Sequence, residues 1–560
     1  MTTAVSVRRH TTVTGLVLAL AIGVSAPARA SQHGKLSDKV REEGKSKGKA
    51  QVDVLVRFRQ DAGAAERLLV QTLGGELKRK HKSRWSSVRL PGRAVEALAA
   101  AGVVDYVASD SPVSAAMDVS REVVDPAPAD AHEYSLKGTG VTIALLDSGV
   151  AAHPEIGTLV ASVDYVGTYD PTFAPAGSVD LNGHGTHVAG IMVGNGSRSS
   201  GQFTGVAPEA GLVSVRVLDA QGRGRTSDML AGLQWILDHK NAYGIRVLNL
   251  SLGHPVFEAA AVDPLVQAVE SLWDAGIVVV CAAGNSGRSG HGTVSSPCNS
   301  RKVITVGALN ERKTFDYLDD TITTYSSRGP TRLDLFAKPD LVAPGNRIVS
   351  TRAAGSYLDT LLVGRQVAAD AALPLVQQHL EMSGTSMAAP FVAGAAALMV
   401  QQDPSLNPGT VKARLMLSAR KVDAGDPFAT GAGLLDVLAA LRTSGRVADA
   451  PSPRVFPDEL AGTMTVENTA TLWSDASFSL ASLWSSAVLW SDAPDAPMLT
   501  TYAVLWTDAN GLLWPDEAAG GVLPDATLWG ESTLWSEAVL WPDAVSAPVL
   551  ETLSSLVEDP

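Results

Sequence analysis

Between residues 139 and 442, short and nearly continuous apolar runs alternate with stretches of helical spacing. The apolar runs are Val141–Leu146, Leu212–Leu218, Arg246–Leu250, Ile277–Cys281 and Val303–Val306. The helical stretches are Val188–Val193, Ser227–His239, Pro264–Ala275 and Met387–Gln401. A strand that is apolar on both faces must be covered on both, so the pattern predicts an α/β fold: a parallel sheet with helices on both faces. Functional side chains in such folds collect at the carboxyl ends of the strands. A further helical segment is expected around Gln366–Leu380, within the stretch Thr351–Glu381, and no role for it follows from its sequence.

Upstream the pattern shortens. Val52–Phe58 alternates as a half-buried strand, Ala62–Leu73 has helical spacing, Ser86–Leu90 is a second strand, Gly92–Ala101 a second helix and Val103–Val107 a third strand. This predicts a small α+β domain ahead of the large one. Residues 31–50, rich in Lys, Gly and Glu, read as a flexible lead-in, and 118–136, with its Asp-Pro and Ala-Pro steps, reads as a connector.

The chain of 560 residues exceeds the roughly 250–300 that one core serves, in keeping with several domains. Residues 1–30 carry a basic start (Arg8, Arg9, His10), an apolar stretch from Thr14 to Ala26 and the small-x-small step Ala28-Arg29-Ala30. These are the parts of a secretory signal peptide, and the apolar stretch falls short of the roughly 20 residues a membrane span needs. The expectation is a secreted, extracellular protein, monomeric, with no stable membrane insertion once the signal is gone. The net charge of −13 is segregated. Residues 31–117 hold sixteen basic and ten acidic side chains, whereas beyond Arg454 there are sixteen acidic and no basic ones. A basic leader thus precedes an acidic body and a more acidic tail, which argues against nucleic acid as a partner.

Three segments carry chemistry. Ile143-Ala144-Leu145-Leu146-Asp147-Ser148-Gly149 sets a carboxylate at the end of a buried strand. Asn182-Gly183-His184-Gly185-Thr186-His187 sets an imidazole where a glycine-rich loop enters a helix, and Ser383-Gly384-Thr385-Ser386-Met387-Ala388-Ala389-Pro390 sets a hydroxyl at the start of a small-residue helix. A serine hydroxyl is a poor nucleophile at neutral pH. It needs a base, and the base needs a group that fixes its tautomer and stabilises its cation. A helix N-terminus adds free N–H groups near developing negative charge.

In the order Asp, His, Ser, the three motifs resemble the subtilisin-like serine proteases, the subtilase family. The resemblance covers 118–442 as the peptidase domain. It implies an endopeptidase that cuts extended polypeptides through an acyl-enzyme and needs no cofactor for catalysis. Residue by residue, it makes Ser386 the nucleophile, His184 the base and Asp147 the group that orients the base. Ala282-Ala283-Gly284-Asn285 resembles the oxyanion segment, with the Asn285 amide and the Ser386 N–H as donors. Gly222-Arg223-Gly224 and Ser251-Leu252-Gly253 resemble the two extended segments that hold a substrate strand between them. Ala283, Gly284 and the turn Ser295-Ser296-Pro297 would line the pocket for the residue before the cut.

The resemblance also places Cys281 and Cys298 near each other at that pocket, where a disulfide is plausible in an exported protein and two buried thiols are the alternative. Many relatives bind structural calcium. Here Glu155, after His153-Pro154, and the loop 194–205 offer oxygen ligands, and an ordinary polar loop is the alternative. His187 and His153 are expected to be structural, and Asp219, Asp228 and Asp238 to be a solvated rim or caps. Residues 31–117 resemble the family's pro-domains. That implies an intramolecular inhibitor, a self-processed zymogen and a cut near 117–121.

Residues 443–560 are of another kind. Leu-Trp recurs at Trp473, Trp484, Trp490, Trp506, Trp514, Trp529, Trp535 and Trp541, most copies being followed by Ser, Thr or Pro and then an acid. A period of six puts successive rings on one face of a strand but not of a helix. Two readings stay open: a β-rich stacking module that serves attachment, or a disordered acidic tail removed in maturation.

Overall fold

The computed structural model describes residues 34–477 except 82–83, 116–135, 158, 168–178, 313–319, 369–373, 375–377, 423–425, 459–462 and 476, and in addition residue 483. The expected signal peptide, the bond near 117–121 and nearly all of the Leu-Trp repeats lie outside the described residues.

The leader runs α1 (Asp38–Lys47), β1 (Gln51–Phe58), α2 (Ala64–Thr72), β2 (Glu76–Lys80), β3 (Trp85–Pro91), α3 (Val95–Ala100), β4 (Val104–Ser109) and β5 (Pro112–Ala115). Its first four strands form one sheet in the order β2-β3-β1-β4, with β1 antiparallel to both neighbours. One correction falls here. Described residues of the expected flexible lead-in form α1, because Ser37 caps its N-terminus through Val40 N and because Val40 and Gly44 are buried. Val40 lies in the leader core with Val54, Val56 and Leu98. Low hydrophobicity concealed the helix, but two well-placed small apolar contacts were enough to dock it.

The body is built on β6 (Thr142–Asp147), β7 (Leu159–Asp164), α4 (His184–Val193), β8 (Gly211–Arg216), β9 (Arg223–Arg225), α5 (Thr226–Tyr243), β10 (Ile245–Leu250), β11 (Leu252–Gly253), α6 (Pro264–Asp274), β12 (Val278–Ala282), β13 (Ile304–Asn310), β14 (Thr321–Ile322) and β15 (Leu341–Pro344). It continues through β16 (Ile348–Thr351), α7 (Tyr357–Leu361), β17 (Gln366–Val367), β18 (His379–Met382), α8 (Thr385–Gln402), α9 (Pro408–Ser418), α10 (Pro427–Thr430) and α11 (Val437–Arg442). The main sheet has the order β14-β13-β12-β10-β6-β8-β7, with β15 also on β13. Its inner pairs are parallel and β14 is the antiparallel edge. Each expected apolar run falls on one of these strands. Their apolar side chains are buried, as those of a strand between two helix layers must be.

The expected helix around Gln366–Leu380 is corrected at both ends: β17 and β18 are extended and pair antiparallel, with β16 on the other side of β18. The helical turn of this stretch lies earlier, in α7, capped by Ser356. Packing also continues beyond 442. The hairpin β19 (Val455–Asp458) and β20 (Thr463–Val466) leads into α12 (Thr469–Leu472), and Trp473 and Leu483 join Ala337, Met416, Phe428 and Val447 in a second core. Trp473 Nε1 donates to the Pro451 carbonyl at 2.9 Å, and Lys421 Nζ donates to the Leu483 carbonyl at 2.7 Å.

Candidate active site

Asp147 ends β6, where the strand leaves the sheet. His184 opens α4 after Gly183, whose φ of 100° is left-handed and favours glycine. A Cβ at the next glycine, Gly185, would collide with the Gly149 carbonyl, so only glycine lets the helix start lie on the β6 turn. Asp147 Oδ1 accepts from His184 Nδ1 at 2.7 Å and from Ser148 N at 2.7 Å, with both side chains fully buried. His184 Nε2, the other ring nitrogen, is buried and has no hydrogen-bond partner.

A residue that sequence reasoning missed fixes this loop. Asp180, fully buried, accepts from Ser148 Oγ (2.9 Å), Gly183 N (2.7 Å), Thr186 N (2.8 Å) and Thr186 Oγ1 (2.7 Å). It ties the residue after Asp147 to both sides of His184. From outside, α7 braces the same loop: Tyr357 N and Leu358 N donate to the Leu181 and Asn182 carbonyls, both at 2.9 Å. Arg352 in turn holds α7 through a two-point contact with the Asp359 carboxylate. This is what the stretch 351–381 does locally.

Ser386 lies in the first turn of α8, after Gly384, and α8 packs against α4. Pro390 lacks an N–H, so the Ser386 carbonyl has no helical donor four residues on. It accepts instead from Ser251 Oγ at 3.0 Å, while Ser386 Oγ donates to the Ser251 carbonyl at 3.0 Å. Asn285 Oδ1 accepts from Thr385 N and Thr385 Oγ1, each at 3.0 Å, which fixes the amide. Its Nδ2 is buried without a partner. Thr385 Oγ1 also accepts from Gly284 N at 3.1 Å. Sequence gave no sign that Thr385 is the hinge of this arrangement.

The two glycine-bearing segments hold a strand between them, and it is the leader's β5. The order is β11-β5-β9, antiparallel on both sides, with Ser114 opposite Gly253 and Arg223, Ala115 opposite Leu252, and Val113 opposite Gly224. Gly222 precedes β9 with φ 74°. A Cβ on Gly224 would press on the Val217 carbonyl, and one on Gly253 on the Ser296 carbonyl. The Ala283 carbonyl accepts from Ser295 N at 3.0 Å, which joins the 282–284 segment to the 295–297 turn. Cys281 and Cys298 form a disulfide below them, with Cα atoms 5.5 Å apart.

His187 Nε2 donates to the Leu380 and Ile348 carbonyls (2.8 and 3.1 Å), and burial pushes its pKa down to about 3, in keeping with a structural histidine. Asp219 accepts from Gln221 N and Arg223 N as a turn cap. Asp228 departs from the expected rim: it is buried and faces Arg79 of the leader at 3.7 Å. The calcium expectation meets a poor fit. Glu155 Oε1 accepts from Arg198 N at 2.7 Å and Oε2 from the buried His379 Nε2 at 2.9 Å, so both oxygens face N–H donors. Among the described residues, no group of three or more His, Cys, Asp or Glu could hold a metal ion.

A carboxylate at the carboxyl end of a central strand of a parallel sheet, an imidazole and a helix-borne hydroxyl, beside a cleft that holds an extended strand, define a class of serine endopeptidases. Residues 138–433 match the model of the subtilase family. The chain is 36% identical over 407 residues to the serine protease AprX of Bacillus subtilis (strain 168), covering 70% of this chain and 88% of that protein. It is 33% identical over 305 residues to subtilisin DY of Bacillus licheniformis, covering 54% and 92%. The solved structure of fervidolysin from Fervidobacterium pennivorans, a keratinolytic enzyme, shares the fold with a TM-score of 0.56 at 22% identity, covering 70% of this chain and 61% of that one. The chain belongs to the subtilase family and is a serine endopeptidase that acts on polypeptides. Subtilases need no cofactor for catalysis.

Proposed function

We propose that the protein is an exported, self-processed endopeptidase. In this reading residues 1–30 are a signal peptide, 31–117 an inhibitory pro-domain, 118–442 the peptidase domain and 443–560 an acidic Leu-Trp tail whose first unit packs back on the body. Ser386 attacks the scissile carbonyl. His184 Nε2 takes its proton and hands it to the leaving amine, while Asp147 holds Nδ1–H and stabilises the imidazolium. For attack, the Ser386 hydroxyl must turn from the Ser251 carbonyl to His184. Asn285 Nδ2 and Ser386 N bind the oxyanion, and Gly222, Arg223, Gly224, Ser251, Leu252 and Gly253 pair with the substrate backbone, with Ala283 and Gly284 lining the pocket before the cut. The Cys281–Cys298 disulfide closes the base of that pocket.

The observation that carries the reading is β5. A segment of the chain itself lies antiparallel between the two glycine-bearing segments, as a substrate would, and points its carboxyl end toward Ser251 and Ser386. The test is Ser386→Ala in the full chain, assayed on denatured casein and by gel for release of the leader. Loss of casein hydrolysis together with retention of the leader is expected. A variant that still loses its leader would rule out self-processing, and one that still cuts casein would rule out the nucleophile.

A further inference from the structure

Arg79 lies on β2, the edge strand of the leader sheet, and its side chain is 2% exposed. Burying a guanidinium is costly unless partners replace its water. Among the described residues, the body supplies it with a carbonyl, a carboxylate and an aromatic ring. Nη1 donates to the Ser227 carbonyl at 3.1 Å and lies 3.7 Å from Asp228 Oδ1, and the guanidinium carbon is 5.8 Å from the centroid of the buried Tyr165 ring. A carbonyl, a carboxylate and an aromatic face are what a planar, weakly hydrated guanidinium selects, more than an ammonium does.

All three of these groups stay with the body if the leader departs. Asp228 also lines a cavity of about 430 Å³ whose other body walls are Val166, Gly167, Val217, Asp219 and β9 with its flank. The leader's Asp110 and Pro112 close the remaining side. The cavity therefore lies along the segment that holds an extended peptide, on the side from which that peptide enters. Among the body's walls Asp219 and Asp228 offset Arg223 and Arg225, so once the leader's Asp110 is gone the cavity has no net formal charge and a cation gains only by reaching a carboxylate directly.

We propose that Asp228, the Ser227 carbonyl and the Tyr165 ring form a guanidinium pocket, plugged by Arg79 in the uncleaved chain and used, once the leader has gone, by an arginine side chain on the amino-terminal side of the bond to be cut. The substrate role rests on the protease reading; the pocket itself does not. The site lies outside the triad, the oxyanion donors and the two strand-holding segments, and it makes the enzyme favour arginine-bearing polypeptides.

Two measurements test it separately. In the full chain carrying Ser386→Ala and Arg79→Ala, the plug is gone and no catalysis is needed. Titration with N-acetyl-argininamide at pH 8 is expected to show saturable binding that weakens at least tenfold when Asp228→Asn is added, with N-acetyl-citrullinamide binding no better than in that variant. Absence of binding, or binding indifferent to Asp228→Asn, overturns the pocket. Arg79→Lys with Ser386→Ala serves as the folded control and should bind less probe than Arg79→Ala. In the second measurement, processed protein cleaves a mixture of peptides that differ only in arginine or citrulline at successive upstream positions. A several-fold preference for arginine at one position, carried in KM and lost in Asp228→Asn, is expected, with the citrulline peptides cut equally by both proteins. Equal cleavage of arginine and citrulline peptides by the wild-type chain overturns the substrate role. No cleavage of any peptide beside intact probe binding instead sinks the protease reading and leaves the pocket standing.

Discussion

At the scale of single residues, the donors around Ser386 are ordered before any substrate arrives. Asn285 spends its oxygen on Thr385, and this leaves Nδ2 as a buried donor with nothing to bind. In the proposed mechanism such a donor acts on charge that exists only in the transition state. Asn285→Ala is therefore expected to lower kcat by about 10²–10³ with little change in KM. Steady-state kinetics on a peptide ester and a peptide amide would measure this, and a loss carried by KM would contradict it. The placement of Asp147 at a strand end and of His184 and Ser386 at helix starts was legible in the sequence, because glycines and small residues crowd around each in a recognisable order. Asp180 and Thr385 were not. Their work is done through backbone amides and a neighbour's carbonyl, which leave no spacing rule to read. Asp228 was misjudged because its burial comes from another domain.

At the scale of elements, the long apolar strands and helices were legible from period alone, and the short ones were not. β5, β9 and β11 are four, three and two residues long, and they owe their conformation to each other rather than to alternation. The same holds for β17 and β18, where a sequence with helical spacing is drawn into strands as β18 pairs with β16 on one side and β17 on the other. The start of the tail is another case. Trp473 is 4% exposed, lies among Ala337, Met416, Phe428 and Val447, and gives its indole N–H to Pro451. The body's core is thus completed by residues that follow its last long helix. Trp473→Ala is expected to cost about 3–5 kcal/mol, from lost burial plus the cavity left behind. Denaturant unfolding of the Ser386→Ala background, which prevents self-digestion, would measure it. A cost below about 1 kcal/mol would mean that the ring's contacts do not hold in solution.

At the scale of the whole molecule, the leader and the body meet through groups that burial holds away from their ordinary protonation. Glu258, on the body, is pushed up to about 8, first by burial and then by the nearby Asp263, against the pull of Ser37, Lys39 and the Ser109 amide of the leader. Asp228 is pushed up to about 7, again mainly by burial, with Arg79 and Arg225 working against it and Asp110 with it. A carboxyl group whose pKa is higher in the assembled state takes up a proton on assembly. The share of its burial penalty imposed by the leader's cover grows as pH rises toward the raised value. Two cations oppose this. His254 lies below its usual range through burial, so its penalty appears only on the acid side of about 6.5. Lys39, lowered by burial despite Glu43 and Glu258, stacks over the Phe257 ring, and its relief belongs to the alkaline side. Between about pH 6.5 and 8 the carboxyl groups therefore set the sign, and the leader is held more weakly as pH rises. In the proposed zymogen, once the connector is cut, the lag before full activity should shorten across that window. Glu258→Gln, which stays neutral throughout, should flatten the dependence without touching the groups around Ser386. Lag times at pH 6.5, 7.2 and 8.0, each with the peptide assay at a common pH, would decide it. A lag that is constant across the window, or a pH dependence that survives Glu258→Gln unchanged, would show that the leader is released by its own proteolysis and not by the loss of these protons.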